Sequence, residues 1–264
     1  MRFELTQVVK ILLILNVAVF ILDSLTSGQL NFYLALRYVE SEQFLPYQFF
    51  TYMFAHGSFG HLLGNMFGLF FLGPLLERFL GSKKFLSLYL ICGVGAALIH
   101  MGVNYWEIYN LKEAIHAYLA APDADNFYSM IYDKFPGYYN SLESFMEQFQ
   151  RMPNDPLLLN QSIIEAHNIL NKSTEGVPML GASGAVMGIV ATFALLFPNT
   201  ELFLLFIPFP IKAKYFALMY IGYEIFSIIQ DAPDDNVAHF AHLGGMIFAF
   251  FLVEYWKRRR DTFY

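Results

Sequence analysis

The sequence contains few charged residues and a single cysteine. Only 14% of its 264 residues are charged, whereas 56% are hydrophobic, and the mean hydropathy is +0.44. This composition excludes an ordinary water-soluble globule, which carries a larger charged share. One cysteine, Cys92, cannot form an intrachain disulfide. With a net charge of −6 and no long Lys/Arg cluster before the C-terminal tail, the chain also lacks the signature of a nucleic-acid-binding protein.

The hydrophobic residues lie in six blocks whose length matches the thickness of a bilayer. They predict transmembrane helices at about 8–25, 59–79, 83–104, 180–197, 213–229 and 238–256. No cleavage signature follows the first block, so we expect it to remain as a membrane anchor and not to be removed as a signal peptide. The sequence therefore predicts an all-α, multi-pass integral membrane protein that contacts the lipid bilayer.

The positively charged residues are divided unevenly between the two sides of these predicted spans. Eleven lie on the side that contains both termini, and five lie on the other side. Cytoplasmic segments carry the excess of Lys and Arg, so we expect both termini to be cytoplasmic, with a bacterial cytoplasmic membrane as the default location. In this orientation the second, fourth and sixth spans begin at the outer face.

The segment 105–177 is polar and acidic, yet it is rich in Tyr and Phe. Helical spacing at 108–119 and 157–170, the latter preceded by Asp155 and Pro156 as cap and first-turn residue, predicts helices. A disordered linker would have fewer aromatics, so we expect a helical cap on the outer surface. The predicted organisation is then 1–104 with spans one to three, 105–177 as an external insertion, and 178–264 with spans four to six and a basic cytoplasmic tail.

Ser183, within the glycine-rich segment Gly181–Gly184, stands at the start of the fourth predicted span. A serine hydroxyl becomes a good nucleophile when a base removes its proton, and the flanking glycines leave room for a substrate backbone. The start of a helix also offers unpaired N–H groups and a positive dipole end, which suit a developing oxyanion. The alternative is that these small residues serve only close helix packing, with Gly184 and Gly188 one turn apart.

The candidate base for Ser183 is His242 in the sixth predicted span. Both residues lie close to the outer ends of their helices, so we expect them at similar depth. An intramembrane histidine is uncommon and often functional, although a structural histidine is the alternative. Glu224 is the carboxylate deepest in a predicted span, and we expect it to be hydrogen-bonded structurally. No carboxylate occupies an obvious third position beside Ser183 and His242.

Two polar residues of the second predicted span, His61 and Asn65, are four residues apart and share one helical face. Side-chain donors of this kind complete an oxyanion hole. One alternative is a hydrogen-bonded structural cluster. Another is a zinc site formed by His56, His61 and His242, although the sequence has no H-E-x-x-H motif and no carboxylate at ligand spacing. We therefore expect neither a metal nor another cofactor.

In combination these motifs resemble the rhomboid family of intramembrane serine proteases. The resemblance is carried by the segments 56–65, 73–81, 181–184 and 241–245, and it covers about residues 44–104 and 178–256. It implies a six-transmembrane-helix rhomboid bundle with Ser183 as nucleophile and His242 as general base and then acid. It also implies that His61 and Asn65, with the Ser183 N–H, stabilise the oxyanion. The active site would open toward the outer face, and the substrates would be transmembrane segments of other membrane proteins.

The sequence departs from the family pattern in several places. Met187 stands where many members have a tyrosine packed against the catalytic histidine, and Ala249 replaces a glycine. The loop 26–48 lacks the tryptophan-arginine pair that many members carry, and the segment 105–177 is longer than the usual connection.

The predicted function is that of a serine endopeptidase with a Ser–His dyad. One alternative is a non-catalytic relative that binds or dislocates membrane clients, against which the retained Ser183 and His242 argue. The other is a polar-lined transporter, against which the lack of paired broken helices argues.

Overall fold

The computed structural model describes residues 4–203, 209–230 and 237–259, and these residues are predominantly α-helical. The helices are α1 Gln7–Leu25, α2 Gln29–Leu34, α3 Gln48–Thr51, α4 Phe59–Leu80, α5 Ser82–Ala120, α6 Ala124–Lys134, α7 Pro136–Arg151, α8 Pro156–Glu175, α9 Ser183–Leu196, α10 Ala213–Gln230 and α11 His239–Arg258. A short 3-10 turn, Tyr52–Phe54, follows α3 directly.

Two strands of two residues each lie between α9 and α10. The strands β1 Glu201–Leu202 and β2 Ile211–Lys212 pair antiparallel, with Glu201 opposite Lys212. The sequence analysis does not predict this pair.

Three helices in the described ranges, α1, α4 and α5, are long and apolar enough to cross a membrane. Helix α9 is apolar but has only 14 residues. Helices α10 and α11 fall short of the same apolarity, because α10 carries Glu224 and α11 carries His239 and His242. Large apolar side chains nevertheless point outward from α1 and α10, as lipid-facing residues do: Ile11, Ile14, Ile21, Leu218, Met219 and Phe226. The chain is an integral membrane protein, and length and composition identify three of its six predicted spans.

The chain divides into two compact units. One comprises residues up to Val39, the range Gln43–Met101 and the residues from Pro178 onward, and the other comprises Glu40–Glu42 and Gly102–Val177. The sequence predicts the corresponding boundaries at 104/105 and 177/178. The predicted basic tail continues past residue 259 and there lies outside the described residues.

Helix α9 is largely enclosed within the first unit, where nine of its 14 residues are buried. It packs against α4 at Gly68, where an added Cβ would come within 2.7 Å of the Val186 side chain. It packs against α11 through Gly184, Gly188 and Gly245, as described below. Since these residues are small, the helix backbones approach closely.

Glu77, near the end of α4, connects that helix to the start of α1. Its carboxylate is buried and accepts hydrogen bonds from the Thr6 hydroxyl and from the backbone N–H groups of Val8 and Val9, the latter two at 3.1 and 3.0 Å. It also accepts a bond of 2.7 Å from the hydroxyl of Ser82 at the start of α5. One carboxylate thereby satisfies donors that the first turn of α1 leaves unpaired.

The second unit has a hydrophobic core of its own. The buried side chains that form it include Ile115, Tyr118, Phe127, Ile131, Phe149 and Ile169. Asp155 caps α8 by accepting a 2.8 Å bond from the N–H of Leu157, and Pro156 is the first helical residue, as the sequence predicts. A segment that encloses such a core is a folded helical unit and not a flexible tether.

Candidate active site

Ser183 is the first residue of α9, and a sharp turn at Gly181 leads the chain to it. Gly181 has φ +116°, in the left-handed region, and its N–H donates to the carbonyl of Tyr52 at 3.0 Å. A Cβ at this position would lie 2.5 Å from His61 Nε2 and 3.5 Å from Asn65 Nδ2. Glycine is therefore required here both for the backbone conformation and for the space that the two side chains fill.

The residue before α9, Ala182, does not cap the helix with its own side chain. Its N–H donates to His56 Nε2 at 3.5 Å. The first-turn N–H groups of a helix have no partner within the helix itself, and they form the positive end of its dipole. Ser183 is partly exposed at this end, so its hydroxyl and its N–H can both face the same bound group.

Helix α4 brings His61 and Asn65 to this helix end. The cap residue Ser58 fixes the first turn by accepting a bond from the His61 N–H at 3.1 Å. Asn65 is 5% exposed, and its Nδ2 has no hydrogen-bond acceptor in the described part of the chain. Buried donors are nearly always paired, so the amide beside Gly181 is available to an acceptor.

His56 lies against the same turn. Its Nε2 is 3.5 Å from the N–H of Ala182, and its ring meets that of His61 edge-on, with 5.1 Å between the ring centroids. Burial, and secondarily the neighbouring His61, lowers the pKa of His56 to about 4. His56 is therefore neutral at neutral pH and supports the turn before α9.

The packing of α9 against α11 depends on glycines. A Cβ on Gly245 would overlap the carbonyl oxygen of Gly184, and one on Gly188 would come within 3.2 Å of the carbonyl oxygen of Gly245. The small residues of the Gly181–Gly184 segment thus serve close packing, which was one of the two interpretations of that motif. The same contact also brings together the first turns of the two helices, which carry Ser183 and His242.

His242 lies in the first turn of α11 and is 8% exposed. The carbonyl oxygen of the preceding residue, Ala241, would lie 3.5 Å from a Cβ on Gly184, the residue after Ser183. No hydrogen bond joins Ser183 to His242 within the described ranges, and catalytic hydrogen bonds are often long in a ligand-free site. The structure therefore gathers all four residues predicted as a site, Ser183, His242, His61 and Asn65, around the start of α9.

A carboxylate that sequence reasoning does not assign to this site contacts His242. Glu224 of α10 is fully buried, and its Oε1 lies 2.8 Å from His242 Nδ1. Its Oε2 forms a second, short hydrogen bond to His239 Nδ1. The sequence analysis expects no carboxylate in a third position beside Ser183 and His242, and the structure corrects that expectation.

Tyr220, one turn before Glu224 on the same helix, also faces His242. Its hydroxyl lies 3.4 Å from His242 Nδ1, and the two ring centroids are 6.3 Å apart. The family pattern has a tyrosine against this histidine at the position of Met187. Here a tyrosine reaches the histidine from α10 instead.

The structure does not support the zinc site considered from sequence. That site needs His56, His61 and His242, and in the described part of the chain these three do not form a group whose potential ligand atoms lie close enough to share a metal. The residues that could hold a metal are instead Glu224, His239 and His242, whose potential ligand atoms lie within 4.8 Å of one another. Direct hydrogen bonds already join the carboxylate to both imidazoles.

Comparison with known proteins identifies the family. The model of the Rhomboid domain matches residues 43–107 and 159–259, which is more than half of the chain and includes every residue of the site. The chain belongs to the rhomboid family. The resemblance seen in the sequence motifs is thereby confirmed.

Three relatives of this rhomboid illustrate the range of similarity. An uncharacterized mitochondrial rhomboid protein of Schizosaccharomyces pombe is 30% identical over 78% of this chain and 50% of its own length. The mitochondrial RHOMBOID-like protein 12 of Arabidopsis thaliana is 26% identical over 90% of this chain and 55% of its own. Rhomboid protease GlpG of Klebsiella pneumoniae is 36% identical over 28% of this chain and 27% of its own.

These relatives bear on the expected location. This rhomboid spans about half the length of the two relatives that match most of it, and both of those carry the word mitochondrial in their names. The comparisons therefore speak against the expectation of a bacterial cytoplasmic membrane. Integral membrane character itself agrees with the family and with the three long apolar helices.

Proposed function

We propose that this rhomboid is an intramembrane serine endopeptidase that cleaves transmembrane segments of other membrane proteins through Ser183 and His242. The observation that carries the proposal is the set of groups around the start of α9. A serine, an unpaired buried amide of Asn65 and an imidazole held by a carboxylate all converge there. The protease name of a bacterial relative, which matches only part of the chain, is consistent with this function.

In the first half of the reaction, Ser183 Oγ attacks the carbonyl carbon of the scissile peptide bond while His242 Nε2 takes the hydroxyl proton. The carbonyl oxygen becomes an oxyanion, which the Ser183 N–H, Asn65 Nδ2 and His61 stabilise. The C–N bond then breaks, and His242 returns its proton to the leaving amine. The products are an ester of Ser183 and the new N-terminus of the released segment.

In the second half, a water molecule attacks the ester carbonyl as His242 takes one of the water protons. The same donors hold the second oxyanion. The ester C–O bond then breaks, and Ser183 recovers its proton from His242. Water must therefore reach the site, which agrees with the partial exposure of Ser183.

We propose a six-span topology for this catalytic arrangement, with α1, α4, α5, α9, α10 and α11 as the spans. Both termini then lie on the side that carries the excess of Lys and Arg. The start of α9 and the segment 105–177 lie on the opposite side. This orientation is derived from the distribution of positive charge between the two faces.

The test is reaction of the purified protein with a serine-reactive fluorophosphonate, together with cleavage of a reporter transmembrane segment. We expect the wild-type protein to be labelled and to cleave the reporter. Ser183→Ala should abolish both activities, and His242→Ala should reduce both strongly. Ser87→Ala is the matched control, because Ser87 is exposed on α5 and its hydroxyl donates to the Lys83 carbonyl of the same helix.

Labelling that persists in Ser183→Ala would refute the nucleophile assignment. A wild-type protein that binds the reporter segment, yet neither cleaves it nor reacts with the fluorophosphonate, would instead identify a non-catalytic rhomboid that binds membrane clients.

A further inference from the structure

A fully buried carboxylate, Glu224, lies within α10, a helix whose exposed side chains include the apolar residues Leu218, Met219 and Phe226. An isolated buried charge is very unfavourable, so a carboxylate in this position requires hydrogen-bond donors around it. Glu224 has two, and they are imidazole nitrogens of the same helix, α11. One of them belongs to the histidine that serves as base in the proposed function.

We propose that Glu224 is a positioning residue for catalysis: it holds the Nδ1–H of His242 so that Nε2 remains the base for Ser183. This inference rests on the proposed protease function and extends it from two residues to three. Glu224 does not touch the substrate and acts only through His242.

The hydrogen bond fixes the tautomer of His242. A carboxylate can only accept hydrogen bonds, so Nδ1 of His242 must carry the hydrogen in the 2.8 Å contact. Nε2 is then the nitrogen that is free to accept the serine proton. A carboxylate at Nδ1 also stabilises the imidazolium that forms when the proton is transferred, and it does so strongly in a site sheltered from water.

His239 fixes the carboxylate in turn. Its Nδ1 binds Oε2 while His242 binds Oε1, so each oxygen of Glu224 has its own donor one helical turn apart on α11. The carboxyl plane therefore cannot rotate without breaking one bond. The groups that contact His242 are Glu224 and Tyr220 from α10 and His239 from its own helix. Glu224 is the anionic group among them.

The arrangement also accounts for Met187. The family tyrosine that orients the histidine from the fourth span is absent from this chain, and Met187 cannot replace its rigid ring. Tyr220 and Glu224, one turn apart on α10, supply a ring and a hydrogen bond to the same histidine. In this chain, residues of α10 therefore orient His242, in place of a residue of α9.

The experiment compares kcat, KM and fluorophosphonate labelling rate for Glu224→Gln and Glu224→Asp. Gln keeps the size and removes the charge, whereas Asp keeps the charge on a shorter side chain. We expect Glu224→Gln to lower kcat about 10²-fold to 10⁴-fold with KM unchanged, and Glu224→Asp to recover part of the loss. Glu254→Gln is the matched control, because Glu254 lies on α11 and its carboxylate pairs with Lys257 at 2.8 Å, away from His242 in the sequence.

A second comparison isolates the route through His242. In a His242→Ala background, Glu224→Gln should cause no further decrease in labelling rate, because the group that it positions is gone. If Glu224→Gln does not fold, Glu224→Asp and His239→Asn give the same information, and both should lower kcat while leaving KM unchanged.

Three outcomes would overturn the inference. The first is a kcat within two-fold of wild type in a folded Glu224→Gln protein. The second is an equal loss in the Gln and Asp variants that follows their loss of thermal stability, as a packing role predicts. The third is activity that requires added Zn²⁺ and disappears with a chelator, which would assign Glu224, His239 and His242 to a metal. A wild-type protein that is neither labelled nor active would instead refute the proposed function.

Discussion

At the scale of single residues, the geometry of the site is set by positions where any larger side chain would not fit. Gly181 is the clearest case, because its backbone has φ +116° and its missing Cβ leaves the space for His61 and Asn65. Because the turn is made at Gly181, Ser183 itself does not need an unfavourable backbone conformation. The consequence is that activity depends on residues that take no part in the chemistry.

Gly181→Ala tests this dependence. We expect loss of reporter cleavage and a decrease in stability of roughly 1–3 kcal/mol, because alanine is strained at this φ and its methyl group displaces the His61 ring. Gly28→Ala separates the two causes, since Gly28 also has positive φ (+83°) but a Cβ there would meet nothing within 4 Å. Thermal unfolding in detergent and reporter turnover measure both effects. Full activity in Gly181→Ala would contradict the assigned geometry.

The oxyanion donors give a second prediction at this scale. If Asn65 and His61 only packed the bundle, Asn65→Leu and His61→Leu should be tolerated, because burying an unpaired polar group is unfavourable. As oxyanion donors, each should lower turnover, by up to ~10²-fold to 10³-fold for one donor, with stability retained. The double variant should lose more than either single one. Unchanged turnover in the double variant would remove both residues from the mechanism.

At the scale of the helices, sequence reasoning locates the elements better than their ends. The predicted span 180–197 shortens to α9, because the turn at Gly181 precedes it and Pro198 disfavours helix at the residue before it. The predicted span 83–104 and the predicted helix 108–119 join into the single helix α5, since no proline separates them. The sequence analysis does not predict α6 and α7, and the ends of the helices that it does predict depend on neighbouring turns.

Glu224, the carboxylate beside His242, could not be found from a local sequence motif. Ser183 and His242 each belong to a recognisable local motif, so both can be identified as candidate site residues from the sequence. Glu224 lies on a third helix without a motif, and its partners depend on how α10 faces α11. The available signal was a buried charge with Tyr220 one turn before it, opposite two histidines spaced by three residues.

The close contact between α9 and α11 gives a testable prediction about stability and activity. Gly245→Ala places a methyl group against the Gly184 carbonyl, so we expect the helices to separate, with a destabilisation of about 1–3 kcal/mol and loss of cleavage. Gly222→Ala is the control, because a Cβ there meets nothing within 4 Å, and it should be neutral or slightly stabilising. Equal stability and activity in the two variants would show that close approach is not required.

At the scale of the whole molecule, the chain combines a unit that contains the candidate site with a second unit, Gly102–Val177 together with Glu40–Glu42, that has its own core. The composition of the segment 105–177 predicts that it is folded, and its buried aromatic and aliphatic residues agree. Its side of the membrane follows only from the charge distribution, so that part of the topology stays a prediction.

Protease accessibility in intact cells or sealed organelle-derived vesicles tests that topology. A protease added to the face opposite the termini should cleave within 105–177, because the charge of this segment disfavours burial in lipid. The turn between α4 and α5, at Gly81, should stay protected until the membrane is opened. Protection of 105–177 with cleavage near Gly81 would invert the proposed orientation.

The short length of α9 has a consequence for the lipid environment. Its 14 residues rise ~21 Å, whereas the hydrocarbon layer is ~30 Å thick. If the far end of α9 reaches the inner edge of that layer, Ser183 lies roughly 9 Å beneath the outer one. The depth of the nucleophile is then a property of the bilayer as well as of the protein. Longer acyl chains would bury the serine further from water, and thinner membranes would bring it closer to the surface, so lipid composition alone would tune the rate of hydrolysis.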